Sequence, residues 1–291
     1  MEDTMSKDIS VIIHTRNEKE NIKECIKSVQ RLTNEIILVD MESEDETKQI
    51  AERLRIEIYT FPKSDYVEPA RKFGIEKAET PWVFILDADE RITPELAKEI
   101  DVILGRNGVT TPESDLSAEA SAKVDSGQDE YSTVTRQARM THYKIPRKNI
   151  FGKLKWLKYG GWWPDYQIRL IKKEAFIDWP KEIHSTPAIK GDCGYLKNPL
   201  VHFFHGNFET MVNKTVVFES IEADLLSKAK KPVSILTFLR KFTGELFRRL
   251  FKSLGFLDGS FGIIESIYQA FSKTITYIFL YEKYLQKDCD L

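Results

Sequence analysis

The chain has 291 residues, and its 43 Lys and Arg nearly balance its 45 Asp and Glu, for a formal net charge of −2. That balance argues against a dedicated nucleic-acid binder, which is usually strongly basic. The length allows one large domain, or one domain plus an appendage, with a real core.

The polar, acidic start MEDTMSKDIS does not read as a signal peptide. After it, strand and helix patterns alternate. Ile9–Thr15 (ISVIIHT) is β-branched and apolar, the pattern of a buried strand. Asn17–Leu32 carries Ile22, Cys25, Ile26 and Val29 at helical spacing, with Asn17 as N-cap. Glu35–Met41 is a second strand. Ser43–Arg55 reads as a helix with Ser43 as N-cap and Glu46 completing a capping box. Ile56–Phe61 is a third strand, Val67–Glu79 a helix and Trp82–Leu86 a fourth strand. Thr93-Pro94 opens a helix to about Leu104, with proline at its first position. Such alternation with short links predicts an α/β fold, a mainly parallel sheet covered by helices on both faces.

Asn107–Thr135 breaks the pattern. It is rich in Ser, Thr, Asp, Glu and Gly and poor in large apolar residues, so it is expected to be a flexible polar insertion. Met140–Asn207 is aromatic and irregular (KWLKYGGWWPDYQIRL, WPKEIH, NPLVHFFHGN) and predicts short strands and loops. The remainder is helical: Phe208–Lys228; Val233–Leu254, apolar at Ile235, Leu239, Phe242, Leu246 and Leu250 and basic elsewhere; and Phe261–Lys287. No uncharged stretch is long enough to cross a bilayer. Ile263 to Leu285 comes nearest, interrupted by Glu265, Lys273, Glu282 and Lys283. Cys25, Cys193 and Cys289 form no C-x-x-C pair and leave one over in any disulfide scheme, so reduced thiols in a cytoplasmic protein are expected.

The chemistry concentrates where strands end. WVFILDADE (Trp82–Glu90) runs from a buried strand into Asp87 and Asp89, at the carboxyl edge where open α/β sheets bind ligands. Two such carboxylates suit a divalent cation carrying a diphosphate, since hard cations take oxygen ligands. The bare D-x-D string is weak, as Asp288-Cys289-Asp290 is a second copy; the preceding strand separates the two. Glu18 and Asp40 lie at or just beyond other strand ends. Four carboxylates converging there are costly without a cation or a sugar nucleotide to satisfy them, although Glu18 also suits a helix first turn and Asp40 a turn. Neither a Walker loop nor G-x-G-x-x-G follows the first strand, which disfavours kinases and dehydrogenases.

TRNEKENIKECIKSV after the first strand, VDMESEDET after the second and LDADE after the fourth resemble the family 2 glycosyltransferases of the GT-A fold. GGWWPDYQIRL with WPKEIH is similar to their lipopolysaccharide-core β-1,4-glucosyltransferase subgroup. The resemblance covers roughly residues 9–104 and 142–226. It implies a nucleotide-sugar-binding half in residues 1–106, an acceptor and catalytic half in 136–207, and a helical region in 208–291. It implies nucleotide contacts from Thr15, Glu18, Asp40, Arg71 and the ribose- or metal-facing Asp87, with Asp89 as ligand to Mn²⁺ or Mg²⁺. Many relatives have two consecutive acids and then Gly-Ser after the second strand; here Met41 and Glu42 stand in the places of the second acid and the glycine.

An inverting transferase needs a base to take the acceptor hydroxyl proton. Asp165 in GGWWPDYQ is the first candidate and Glu182 in KEIH the second; each also reads as a loop acid paired with Arg or Lys. Of the histidines, His202 fits a late metal ligand best and His184 is an alternative, while His142 and His205 read as packing residues. Trp162 and Trp163 are candidates for stacking on an acceptor sugar, or for packing. The expected reaction moves a hexose from a UDP-sugar donor to a hydroxyl of a glycan or lipid-linked acceptor in cell-envelope or lipopolysaccharide-type synthesis. The alternatives are a polyprenyl-phosphate sugar synthase and a catalytically silent carbohydrate-binding scaffold. The basic amphipathic C-terminal region suits either peripheral contact with the inner face of the cytoplasmic membrane or a homodimer contact.

Overall fold

The computed structural model describes residues 8–106, 139–204 and 208–289; the Asn107–Thr135 insertion and His205 lie outside them. The chain forms two compact units, one within Met1–Pro146 and Tyr166–Val201, the other within Arg147–Asp165 and His202–Leu291.

The first unit opens with β1 (Ile9–Thr15), α1 (Ile22–Val29), β2 (Ile36–Asp40), α2 (Thr47–Arg53), β3 (Glu57–Thr60), α3 (Glu68–Lys77), β4 (Trp82–Asp87), β5 (Glu90–Ile92) and α4 (Pro94–Ile103). Then follow β6 (Met140–Phe151), β7 (Lys155–Trp156), β8 (Asp165–Lys172), β9 (Phe176–Asp178), β10 (Ala188–Ile189), β11 (Asp192–Tyr195) and β12 (Leu200–His202). The main sheet runs β3-β2-β1-β4-β8-β6-β12-β5. Its first four strands are mutually parallel, and β8 joins β4 antiparallel, with Trp82 opposite Lys172. The fold is therefore α/β with a mixed sheet.

Alternate residues of a strand face opposite sides, and β1 shows the consequence. Ile9, Val11 and Ile13 pack with Ile22, Ile26 and Val29 of α1 on one face. Ile12 packs with Ile37, Val39 and Ile75 of α3 on the other. Both faces are covered over β1, β2 and β4, which are therefore mainly apolar and read as continuous runs, whereas the edge strand β3 is half-exposed.

Two helix starts differ from expectation. α1 begins at Ile22, because Asn17 takes a left-handed φ of 54° and its Oδ1 accepts from Glu44 N at 2.8 Å. α2 begins at Thr47, because the Ser43 hydroxyl donates to Asp40 Oδ1 at 2.5 Å instead of capping a helix. Asp45 Oδ1 accepts from Thr47 N in its place, at 2.9 Å. Thr93 does cap α4, its Oγ1 accepting from Leu96 N at 3.1 Å, with Pro94 next. In the aromatic stretch β6 is a twelve-residue strand, longer than the short strands anticipated.

In the second unit the end of β6 pairs antiparallel with β7, Ile150 opposite Trp156. Its helices are α5 (Phe208–Lys228), α6 (Ile235–Phe247), a π-helical turn at Arg248–Lys252, a short 3₁₀ turn at Gly255–Asp258, and α7 (Gly259–Cys289). α5 and α6 both pack on α7. The turn into α7 requires glycine at 262, since a Cβ there would collide with the Gly255 carbonyl oxygen. Phe151, Leu157, Phe204 and Met211 form one core of this unit, and Ala223, Tyr277 and Leu280 another.

Candidate active site

Parallel pairing brings three of the expected nucleotide residues to neighbouring strand ends. Thr15 sits opposite Asp40 across β1 and β2, and His14 opposite Asp87 across β1 and β4. Asp89 follows after one residue, half-buried in the turn between β4 and β5.

The loops after β1 and β2 are clasped together. Asn17 N donates to Ser43 Oγ at 2.9 Å, Glu18 N to Thr47 Oγ1 at 2.8 Å and Lys19 N to Asp45 Oδ2 at 3.2 Å. Asp40, almost fully buried, accepts from the Ser43 hydroxyl and, at 3.1 Å, from Ser43 N. Glu18 accepts from Asn21 Nδ2 at 2.7 Å. The clasp depends on Ser43, Asp45 and Thr47, which sequence reasoning treated only as a helix start; the run S-E-D-E-T is the signal that could have found them. Glu42 takes a left-handed φ of 55° in this loop. That conformation favours glycine. Thr15 Oγ1 is buried and has no hydrogen-bond partner among the described residues.

Asp87 is the hub of a buried charge network. Arg71 Nη2 donates to its Oδ1 and Arg169 Nη2 to its Oδ2, both at 2.7 Å. Arg169 also donates to Glu90 Oε1 at 2.6 Å, and Glu90 Oε2 accepts from Asp87 N at 3.1 Å. Burial pushes the Asp87 carboxyl up, but Arg169 and then Arg71 outweigh it and hold it well below the usual carboxylate range. Burial lowers Arg169, yet Asp87 and Glu90 more than compensate, so its net shift is upward. Arg71 is shifted down, chiefly by burial; its guanidinium also lies over the Trp179 ring, 5.5 Å from the centroid.

Arg71 Nη1 is 3.2 Å from His14 Nδ1. Arginine can only donate, so Nδ1 accepts and the His14 proton sits on Nε2, directed at Ala70 O at 3.2 Å. Burial, and next Arg71, lower the His14 pKa to about 3. The α3 backbone reaches His14 because residue 74 is glycine: a Cβ there would lie 2.7 Å from Ile12 Cγ2 and 3.0 Å from His14 Nε2.

Three of the strand-end carboxylates have partners within the protein, and arginines compensate the charge of Asp87. Asp87 is answered by Arg71 and Arg169, Asp40 by Ser43, and Glu18 by Asn21. Glu90 and the role of Arg169 were missed. Their signals are the third acid of D-A-D-E and a lone arginine within the apolar pattern Q-I-R-L-I.

Glu182 and His184 lie in an exposed turn of the first unit. The His184 amide donates to Glu68 Oε1 at 2.9 Å.

The remaining candidates belong to the second unit. Asp165 Oδ2 accepts from Arg147 Nε at 2.8 Å and from Asn149 Nδ2 at 3.1 Å. Asn149 is fully buried. Its Nδ2 also donates to Trp162 O at 3.2 Å, and its Oδ1 accepts from His202 Nδ1 at 2.6 Å. An amide oxygen only accepts, so His202 Nδ1 carries a proton and donates in this bond. Trp162 packs on Phe204 at 4.7 Å, with the Arg249 guanidinium 5.4 Å from its centroid. Trp163 meets Trp156 edge-on at 5.5 Å.

No group of three or more His, Cys, Asp or Glu able to hold a metal occurs among the described residues. A single carboxylate such as Asp89 matches the ligand type that Mg²⁺ takes beside substrate phosphates.

Residues 10–176 match the family described as "Glycosyl transferase family 2". This span is more than half of the 291-residue chain. The chain belongs to glycosyl transferase family 2, and its α/β unit has the GT-A architecture. An uncharacterized glycosyltransferase of Rickettsia typhi is 27% identical over 277 residues, covering 92% of this chain and 84% of its own. One from Rickettsia conorii is 24% identical over 283 residues, covering 94% and 89%. Among solved structures, S. aureus TarS 1–349 in complex with UDP-GlcNAc matches with a TM-score of 0.46 at 15% identity, covering 96% of this chain and 92% of that one.

Proposed function

We propose that this glycosyltransferase is an inverting, metal-dependent hexosyltransferase. It moves a hexose from a UDP-sugar to a hydroxyl of a glycan or lipid-linked glycan, in cell-envelope synthesis of the lipopolysaccharide-core type. The observation that carries the reading is the alignment of Thr15, Asp40 and Asp87 at adjacent parallel strand ends, with Asp89 one turn further on. It joins a family 2 sequence to the crevice where an α/β sheet binds nucleotides.

The clasped loops form the wall beside the base, with Asp40 oriented by Ser43 and the unpartnered Thr15 hydroxyl left to meet a polar group of the nucleoside. Arg71 and Arg169 keep Asp87 ionised as an acceptor for ribose hydroxyls. Asp89 holds Mn²⁺ or Mg²⁺ jointly with the diphosphate; when bound, the cation stabilises charge on the leaving UDP. Asp165 is preferred to Glu182 as the base, because Arg147 and Asn149 fix its carboxylate whereas Glu182 is exposed in a turn. The base removes the acceptor proton as the hydroxyl attacks the anomeric carbon from the face opposite UDP. His202, oriented by Asn149, is the preferred histidine ligand, with His184 second. Trp163, half-buried, is preferred for sugar stacking, while Trp162 is largely engaged in packing.

The test is UDP release with Mn²⁺ or Mg²⁺ across a panel of UDP-hexoses. Asp89→Ala is expected to lower turnover by roughly a thousandfold, comparable with loss of a main electrostatic stabiliser. Full turnover in that variant, or in EDTA, overturns the metal assignment. Offering polyprenyl phosphate beside lipid-glycan acceptors separates this reaction from that of a polyprenyl-phosphate sugar synthase.

A further inference from the structure

In the helical unit, α7 buries several polar groups. Its buried face carries Glu265, Ser266, Ser272 and Thr276 beside Ala270, Tyr277 and Leu280. Ser272 Oγ donates to Glu219 Oε1 of α5 at 2.6 Å, and Thr276 donates to Glu219 Oε2. Its exposed face carries Ile264, Ile267, Phe271, Ile278, Tyr281 and Leu285. The spacing is three or four residues, with one step of seven between Phe271 and Ile278, and places them along one side of the helix.

α6 continues the pattern. It has no buried residue, and Ile235, Leu236 and Phe247 are 74%, 72% and 63% exposed. Phe238 meets the Tyr281 ring at 6.2 Å and Lys241 lies over Tyr277 at 5.1 Å. The numbers rise along α6 as they fall along α7, so the helices run antiparallel. Exposed Ile235 and Leu236 therefore lie at the same end of the pair as Tyr281 and Leu285. The opposite end carries exposed Phe251, Leu254, Phe256 and Leu257.

Charge selects the occupant. The only carboxylates between Lys228 and Tyr281 are Glu245, Asp258 and Glu265. Asp258 and Glu265 are buried, and Glu245 is paired with Arg248 and Arg249. Lys228, Lys230, Lys231, Arg240, Arg248 and Lys252 are exposed over the same stretch. This exposed surface is apolar with an excess of cations, Glu282 being an exposed acid on it, and it complements an anionic lipid headgroup layer over hydrocarbon. A second copy would instead bring the same cations face to face. No helix among the described residues is long and apolar enough to cross a membrane, so the pair would lie in the interface.

We infer that the α6–α7 hairpin is an in-plane membrane-binding surface for anionic lipid. The inference rests on the helical unit alone. It extends the proposed function by bringing the enzyme to a lipid-linked acceptor, and its test uses no activity, so either can fail without the other.

The experiment is vesicle flotation of the full chain. Phosphatidylcholine vesicles containing phosphatidylglycerol are compared with phosphatidylcholine alone, alongside circular dichroism of each variant. The protein is expected to float with the anionic vesicles, and less so in high salt. Phe247→Ser with Phe251→Ser should abolish flotation without changing the circular dichroism. Arg240→Gln with Lys252→Gln should weaken binding by roughly 30-fold, as two interfacial cations are worth. No flotation with anionic vesicles at low salt overturns the proposal. So does a concentration-dependent dimer that the paired Phe substitutions dissociate while flotation is unchanged.

Discussion

The two units put polar and apolar groups in opposite places. In the sheet unit, apolar strands fill both sides of the sheet, and the buried arginines Arg71 and Arg169 are matched by Asp87 and Glu90. In the helical unit, α7 buries three hydroxyls and the Glu265 carboxylate beside Ala270, Tyr277 and Leu280, and exposes isoleucine and phenylalanine. The first arrangement is that of a self-sufficient water-soluble core. The second makes sense only if the apolar face meets something other than water. The contrast shows that burial alone does not define function; what matters is which chemistry each unit leaves outside.

The largest effect should come from breaking the charge network. Arg169→Met leaves Glu90, fully buried, without its guanidinium partner. It should cost about 3–5 kcal/mol in chemical denaturation, as for other broken buried pairs. A loss below about 1 kcal/mol would mean that the network is wetter than its geometry implies.

Acid should expose the same network. His14 is neutral when folded, with its pKa lowered from 6.5 to about 3, whereas the unfolded chain protonates it near 6.5. The unfolded state therefore binds more protons between these values. Stability falls as pH drops from 6.5 towards 3, by up to about 1.4 kcal/mol per pH unit from this group. Asp87, held low, adds loss in the same direction at the acid end. His14→Gln should flatten the slope between pH 6.5 and 4; an unchanged slope would show that His14 is not the group responsible.

A smaller gain is expected at the left-handed Glu42. Glu42→Gly relieves about 1–2 kcal/mol of backbone strain and costs up to about 1 kcal/mol in chain entropy. The net stabilisation should be of order 0.5 kcal/mol, read as a small rise in melting temperature.

The helical unit gives the sharpest contrast. Ile267→Gln, on the exposed stripe, should shift stability by no more than about 0.5 kcal/mol. A comparable change at Ile12, in the packed sheet, should unfold the protein. A large loss at Ile267 would mean that the stripe is covered within the protein itself.

Much of the sheet unit was legible. Continuous apolar strands, helical spacing at Ile22, Cys25, Ile26 and Val29, and the Thr93-Pro94 start all depend on local periodicity. The strand-end positions of Thr15, Asp40 and Asp87 followed from parallel alternation. The two mistaken N-caps arose because Asn17 and Ser43 had equally good partners across the loop pair, and a local motif does not report a competing tertiary bond.

By itself the sequence determined the α/β class, the strand-end acids, the family and the basic amphipathic character of the C-terminal region. These depend on patterns within a few residues of one another. Only the tertiary structure decided that Arg169 meets Asp87 and Glu90, that Asn149 joins Asp165 to His202, and that α7 turns its isoleucines outward. Those facts depend on which distant segments pack together, and a side chain's partner, unlike its period, is not written in its neighbours.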